Sequence, residues 1–211
     1  MNESALDILK KVHAITVDSH IVLTTGRHSD KYINLDALMP HTEDSSNMGK
    51  LFAEKYKDVE IDVVAGPAVG GIVLSQWVAY HLSKLKGKEI LSVFAEKDEN
   101  KNQVIGRGFE KLVKGKKVLV VEDFTTTGGS VKSASESVKA AGGEIVEICV
   151  ILNRDPEHVN SETIGSPFTS LDVFRVESWT EEECPMCKKN IPINTELGHG
   201  KEYLEKKAQK V

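Results

Sequence analysis

Past the first sixty residues, apolar positions fall into two alternating periodicities. Residues 61–65, 90–95, 118–121 and 144–152 are short, largely apolar runs. Each is too short for a confident helix and uniform enough for a strand buried on both faces of a parallel sheet. Between them, residues 72–85 read as a helix, and after Ser130 the positions Val131, Ala134 and Val138 repeat at helical spacing. Gly142-Gly143 is a good terminus for that second helix. Strands alternating with helices predict an α/β fold with a doubly wound, mostly parallel sheet and right-handed connections.

The flanks are less regular. Ser4 is placed to cap a first helix whose Leu6, Leu9 and Val12 share one face. Residues 20–35 read as two strands around a turn at 25–30; Pro40 then breaks the chain, and Thr42 caps a helix reaching about Lys57. Residues 98–103 are polar and charged with no apolar face, which predicts a mobile loop. From about Trp179 the character changes to an acidic run at 181–183, then Cys184-Pro185-Met186-Cys187, then a lysine-rich end. That reads as an appendage with a frayed terminus. The expected organisation is one domain: about 1–40 at its entrance, a core sheet over 61–178, and a tail over 179–211.

Composition narrows the partners. A chain of 211 residues with 40% hydrophobic and 28% charged positions is ordinary for a globular protein. One domain of this length buries roughly 70% of its unfolded surface, so neither metal nor disulfide is expected to be needed for stability. The formal charge of −5 argues against a general nucleic-acid binder. No apolar run approaches a membrane span, and the opening residues, charged and without a long apolar core, do not read as a signal peptide. Three cysteines make no disulfide framework and fit reduced thiols in the cytoplasm.

The candidate chemistry concentrates at residues 117–131. The strand ends in Glu122 and Asp123, at the sheet edge where open α/β folds bind ligands. Phe124, Thr125, Thr126, Thr127, Gly128, Gly129 and Ser130 then lead into the next helix. The glycines let backbone N–H groups approach an anion, the hydroxyls add donors, and the helix start adds its positive dipole end. Without a G-x-x-x-x-G-K-[ST] pattern, this is not a nucleoside-triphosphate P-loop. Carboxylates repel phosphate but accept hydrogen bonds from hydroxyls, so phosphate cradle and acidic pair together suit a ribose phosphate. Residues 66–71 form a second Gly-rich turn one β–α unit earlier.

The stretch Glu122-Asp123-Phe124-Thr125-Thr126-Thr127-Gly128-Gly129-Ser130 resembles the 5-phosphoribosyl-1-diphosphate (PRPP) motif of the type I phosphoribosyltransferases. Over about residues 20–199 the chain resembles the branch of that family acting on orotate. The resemblance implies the type I fold, with an N-terminal hood over the base, and transfer of phosphoribose from PRPP to orotate with Mg²⁺. It also implies a homodimer that lends a catalytic loop across its interface. Residues 122–130 and Lys97 would bind PRPP, Lys97 and Asp123 would serve catalysis, and Thr126, Arg154 and Tyr32 would contact orotate. The turn at 66–71 would approach the diphosphate. The match departs at the loop, where Glu96 replaces an arginine, Lys101 is shifted and no histidine follows; Thr24 stands where some members have lysine. Two other readings stay open: a phosphoribosyltransferase for another base, and a PRPP-binding regulatory protein with little catalysis. Arg154 has a competing account as an exposed partner of Asp155 or Glu157, and Tyr32 as an ordinary half-buried tyrosine.

Cys184 and Cys187 have the spacing of half a zinc site, but a structural zinc takes four ligands. Cys149 lies in a strand and reads as core, so His199 or a partner subunit would have to complete the set. The expectation is reduced cysteines without metal, and Mg²⁺ held through substrate.

Overall fold

The computed structural model describes residues 3–100 and 102–209. Its elements run α1 (Ala5–Lys11), β1 (Ile15–Thr16), β2 (Ile21–Val22), β3 (His28–Ser29), β4 (Tyr32–Ile33) and a 3-10 turn (Leu35–Leu38). Then follow α2 (Thr42–Lys55), β5 (Val63–Pro67), α3 (Gly70–Lys86), β6 (Leu91–Lys97), β7 (Gln103–Val104), α4 (Glu110–Val113) and β8 (Lys117–Thr125). The chain continues through α5 (Gly129–Ala140), β9 (Glu144–Asn153), α6 (Ser161–Ile164), β10 (Phe168–Val173), α7 (Pro185–Lys188) and α8 (Gly200–Ala208). These elements pack as two units. The larger takes Leu35–Phe174 and the N-terminal stretch through Val12; the smaller takes His13–Asn34 and the chain from Arg175 onward.

The larger unit is a sheet in the order β10–β9–β8–β5–β6–β7, parallel throughout except for the antiparallel β6–β7 pair. From β5 the chain moves outward to β6, and from β8 it moves the opposite way to β9. The order therefore reverses between β5 and β8, which opens a crevice at their carboxyl ends. Val118, Leu119, Val120 and Val121 are all fully buried, each side chain contributing roughly 1.5–3 kcal/mol relative to exposure. Side chains along β8 alternate between faces. Val118 and Val120 join Val131, Ala134 and Val138 of α5 in one apolar cluster, while α3 packs on β5, β6 and β8 and carries α2.

Several expectations shift in detail. The first helix is capped by Ser4 in a reciprocal capping box with Asp7. It buries Ala5, Ile8, Leu9 and Val12 rather than a Leu6 face, and the Leu6 N–H donates to Asp172 of β10 at 3.2 Å. That helix belongs with the sheet and not with residues 13–34. The cap of α2 is His41, without a side-chain bond, and Thr42 is its first residue. Within the stretch expected as a loop, Asp98 Oδ1 accepts from the N–H groups of Asn100 (2.9 Å) and Asn102 (2.8 Å), and Gln103 already begins β7. Strand β10 had no sequence signal because it is an edge strand whose side chains are mostly half-buried; β7 is only two residues long. No helix among the described residues is long and apolar enough to cross a membrane.

The smaller unit has little regular structure. Residues 20–35, expected as two strands, contribute to two nested antiparallel pairs, β1–β4 and β2–β3. The later segment docks on this hairpin through backbone bonds of 2.8 Å: His28 and Trp179 exchange two, Asn194 N–H donates to His20 O, and His199 N–H donates to Val22 O.

Candidate active site

The carboxyl ends of β5 and β8 face an open cleft of about 400 Å³, lined by Asp36, Ala68, Val69, Gly70 and residues 122–130. Strand alternation separates the two adjacent acids. Glu122 lies on the α5 side, where the Ser130 hydroxyl donates to its Oε2 at 3.0 Å. Asp123 lies on the α3 side, against the start of that helix; a Cβ built on Gly70 would stand 2.6 Å from Asp123 Oδ2. Glycine at 70 therefore lets the β5 loop close onto the carboxylate. The Ala68–Val69 peptide of this loop is cis.

The loop after β8 is held by its own residues. The Thr125 hydroxyl accepts from the Gly128 N–H at 2.8 Å, and Phe124 N–H donates to Asp123 Oδ1 at 2.6 Å. Gly128 has φ 77°, and a Cβ there would collide with the Ile164 side chain. Only glycine meets both the left-handed backbone and the close approach. With Gly128 as its N-cap, α5 starts directly from the loop and turns its first N–H groups toward it, an arrangement suited to an anion.

Charge in the cleft is unbalanced. Glu122 is 7% exposed; burial first, and the neighbouring Asp123 second, raise its carboxyl well above the usual range. Asp123 is also raised, mainly by burial, with Asp36 adding repulsion. Three carboxylates thus share one cleft, two of them holding protons more tightly than usual. A bound cation would release those protons. The donor set suits a hard, oxygen-seeking ion such as Mg²⁺.

Arg154 follows β9. Its backbone N–H donates to Thr125 O (3.1 Å), a guanidinium N–H donates to Thr126 Oγ1 (3.2 Å), and the group lies 5.8 Å from the Phe124 ring centroid. The Asp155 carboxylate turns to His158 at 2.9 Å rather than to Arg154, and burial lowers the Arg154 pKa. The Arg154 Nε is buried with no hydrogen-bond partner, an orphaned donor beside the PRPP-type loop.

Not every expected residue joins the cleft. Lys97 ends β6 at the same sheet edge, opposite Gln103 of β7, but is not among the residues lining the cleft. Lys101 lies outside the described residues. Glu96, where the resemblance wants arginine, pairs with Arg107 through two bonds of 2.6 and 2.8 Å. Tyr32 sits on β4 in the smaller unit, half-buried and opposite Thr16. Cys184 and Cys187 also belong to the smaller unit, beside His20 and His28. His199 is elsewhere engaged, with Thr24 at 3.2 Å and Glu202 at 2.6 Å. Sequence reasoning missed Asp36, carried by the 3-10 turn Leu35–Leu38; nothing in its local sequence distinguishes it.

Comparison with known proteins places this geometry in context. Residues 35–178 match the phosphoribosyl transferase domain family. An orotate phosphoribosyltransferase of Caldanaerobacter subterraneus is 38% identical over 191 residues, covering 90% of this chain and 94% of that one. One from a Thermoanaerobacter species is 40% identical with the same coverage. Among solved structures, the orotate phosphoribosyltransferase of Mycobacterium tuberculosis in complex with PRPP superposes with a TM-score of 0.62 at 25% identity. That match covers 80% of this chain and 95% of the other.

Proposed function

Because the chain belongs to the orotate phosphoribosyltransferases of the phosphoribosyl transferase family, we propose that it transfers phosphoribose from PRPP to orotate. The products are orotidine 5′-monophosphate and diphosphate. One observation carries this reading: the β8–α5 cradle, the acidic residues and Arg154 converge at the switch point of one sheet.

In this mechanism residues 126–130 hold the 5′-phosphate by backbone N–H groups and hydroxyls, with the α5 dipole behind them. Glu122 and Asp123 accept from the ribose hydroxyls, positioning the anomeric carbon. The bond from that carbon to the diphosphate oxygen breaks, its electron pair leaving with the diphosphate, and the orotate ring nitrogen forms the new bond. Positive charge grows on the ribose in the transition state, and the acidic pair beside it stabilises that charge. Mg²⁺, when bound, neutralises the diphosphate; Asp36, Glu122 and Asp123 are the residues that would hold it or its waters. Arg154 presents a planar fork to the orotate carboxylate, which satisfies its orphaned Nε, and Thr126 orients the guanidinium. The family resemblance further assigns Tyr32, on β4, a ring face for the base.

Lys97 is the cation for the departing diphosphate. What supports a homodimer in the cytoplasm as the working form is the resemblance to a family whose members lend a catalytic loop across their interface. Light scattering on the purified protein gives the mass that checks the dimer.

The enzymatic test is a spectrophotometric assay with orotate, PRPP and Mg²⁺, with uracil and adenine in parallel. Orotate loss that requires both PRPP and Mg²⁺ is expected. Turnover of adenine instead, or PRPP binding with no base consumed, would overturn the assignment.

A further inference from the structure

The smaller unit carries a feature that phosphoribosyl transfer does not use. His20, His28, Cys184 and Cys187 bring two imidazole nitrogens and two sulfurs within 4.8 Å of one another. His20 Nε2 lies 3.6 Å from each sulfur, and Cys187 Sγ lies 3.3 Å from His28 Nδ1. A tetrahedral ion bound at ~2.0–2.3 Å from each donor would separate its ligands by about 3.3–3.8 Å. These three nitrogen–sulfur spacings already fit. The two nitrogens, now 2.8 Å apart, would open by about half an ångström.

Tautomer and burial agree with that spacing. His20 Nδ1 faces the Ile191 carbonyl oxygen at 2.7 Å. A carbonyl can only accept, so Nδ1 carries the proton and the lone pair of neutral His20 sits on Nε2, aimed into the cluster. This is the outer hydrogen bond that fixes a metal-binding imidazole. The His28 ring has no hydrogen bond outside the cluster, since its Nε2 is buried and unpartnered; what compensates its burial must come through Nδ1. His20, His28 and Cys184 are 3%, 0% and 0% exposed, so water does not solvate these groups and their polar atoms must be compensated by protein or by an ion.

The unit also needs such a link. Among the described residues its buried apolar side chains are Ala14, Ile21, Val22, Cys184 and Met186, a thin core of the kind small folds reinforce with a metal. His20 directly precedes β2 and His28 opens β3, while Cys184 caps α7 and Cys187 lies within it, in the other chain segment of the same unit. An ion here would tie the two segments together.

The geometry points to a closed, structural His₂Cys₂ site for a borderline-soft divalent ion, zinc by its donor set. All four positions are filled by protein, so the site supplies no reaction. Its role is to fix the hairpin to the C-terminal segment.

The test uses the full chain purified without chelators. Elemental analysis is expected to find about one zinc per chain, and cobalt exchanged for it should give a thiolate-to-cobalt charge-transfer band with tetrahedral visible bands. Chelation should lower the melting temperature by several degrees, with recovery on adding zinc. The Cys184→Ser/Cys187→Ser double variant should lose zinc and the cobalt spectrum. If that variant fails to fold, the cobalt spectrum of the unaltered protein decides the matter alone. Protein without zinc that gives no thiolate–cobalt band, a Cys184–Cys187 disulfide under reducing purification, or full zinc retention by the double variant would each overturn the site.

Discussion

The sheet unit and the hairpin unit solve the problem of holding a functional edge in opposite ways. In the first, fully buried valines and leucine anchor β8, and that surplus supports a loop whose carboxylates are buried against their preference. In the second there are few apolar side chains to bury, and polar groups converge on a point instead. The lesson is one of division of labour. A large apolar core can tolerate a charge-loaded cleft at its rim, while a thin core leaves more to specific bonds.

The most damaging way to break the sheet side is Gly128→Val. The side chain would need a left-handed backbone and collides with Ile164, costs of about 1–2 and 1–3 kcal/mol. If the loop is the proposed anion cradle, kcat/KM falls by ~10³-fold or more, losing tight positioning as well. Near-normal turnover by Gly128→Val would remove the loop from the account.

Arg154→Ala sharpens the same side. Loss of a charged, bidentate contact of ~1.5–3 kcal/mol should raise the orotate KM by about 10- to 150-fold. The PRPP KM should stay within about twofold. Equal losses for both substrates would contradict its assignment to the base.

Glu122→Gln probes the stored charge. Because the folded-state pKa is raised, the native protein holds more protons than the unfolded chain between the two values. Stability therefore declines as pH climbs from the unfolded pKa near ~4.3 toward the folded one. The amide removes that decline. Melting temperatures of variant and parent should nearly coincide at acidic pH, below the unfolded pKa, and separate as pH rises. The variant should be the more stable by several degrees at alkaline pH, at ~2–4 °C per kcal/mol, and poor in catalysis. A variant less stable than the parent at alkaline pH would show that the ionised carboxylate stabilises the fold.

The smallest effect is expected from Arg107→Ala. Its pairing with Glu96 is solvent-exposed, and such pairs add little stability. Differential scanning calorimetry should find no resolvable shift, and a large one would mean the β6–β7 turn is anchored by charge.

How much could be read in advance follows from how local each feature is. The β8–loop–α5 stretch was legible because strand, acids, glycines and helix are contiguous, and Arg154 follows directly from the next strand. Asp36 was not, since only the tertiary path of the Leu35–Leu38 turn brings it to the cleft. Strand β10 escaped notice because an edge strand needs no continuous apolar run. The four-donor cluster was half visible: the cysteine spacing stood out, but their partners lie far back in the chain. His199, nearer in sequence, is spent on Glu202 and Thr24. No local periodicity encodes that convergence.

The central claim is that residues 122–130 are where PRPP is held. Hydrogen–deuterium exchange on the unaltered protein, with and without PRPP and Mg²⁺, tests it most directly. The account predicts new protection over the end of β8, the loop and the first turn of α5. Saturating PRPP that protects other segments and leaves this one unchanged would contradict it.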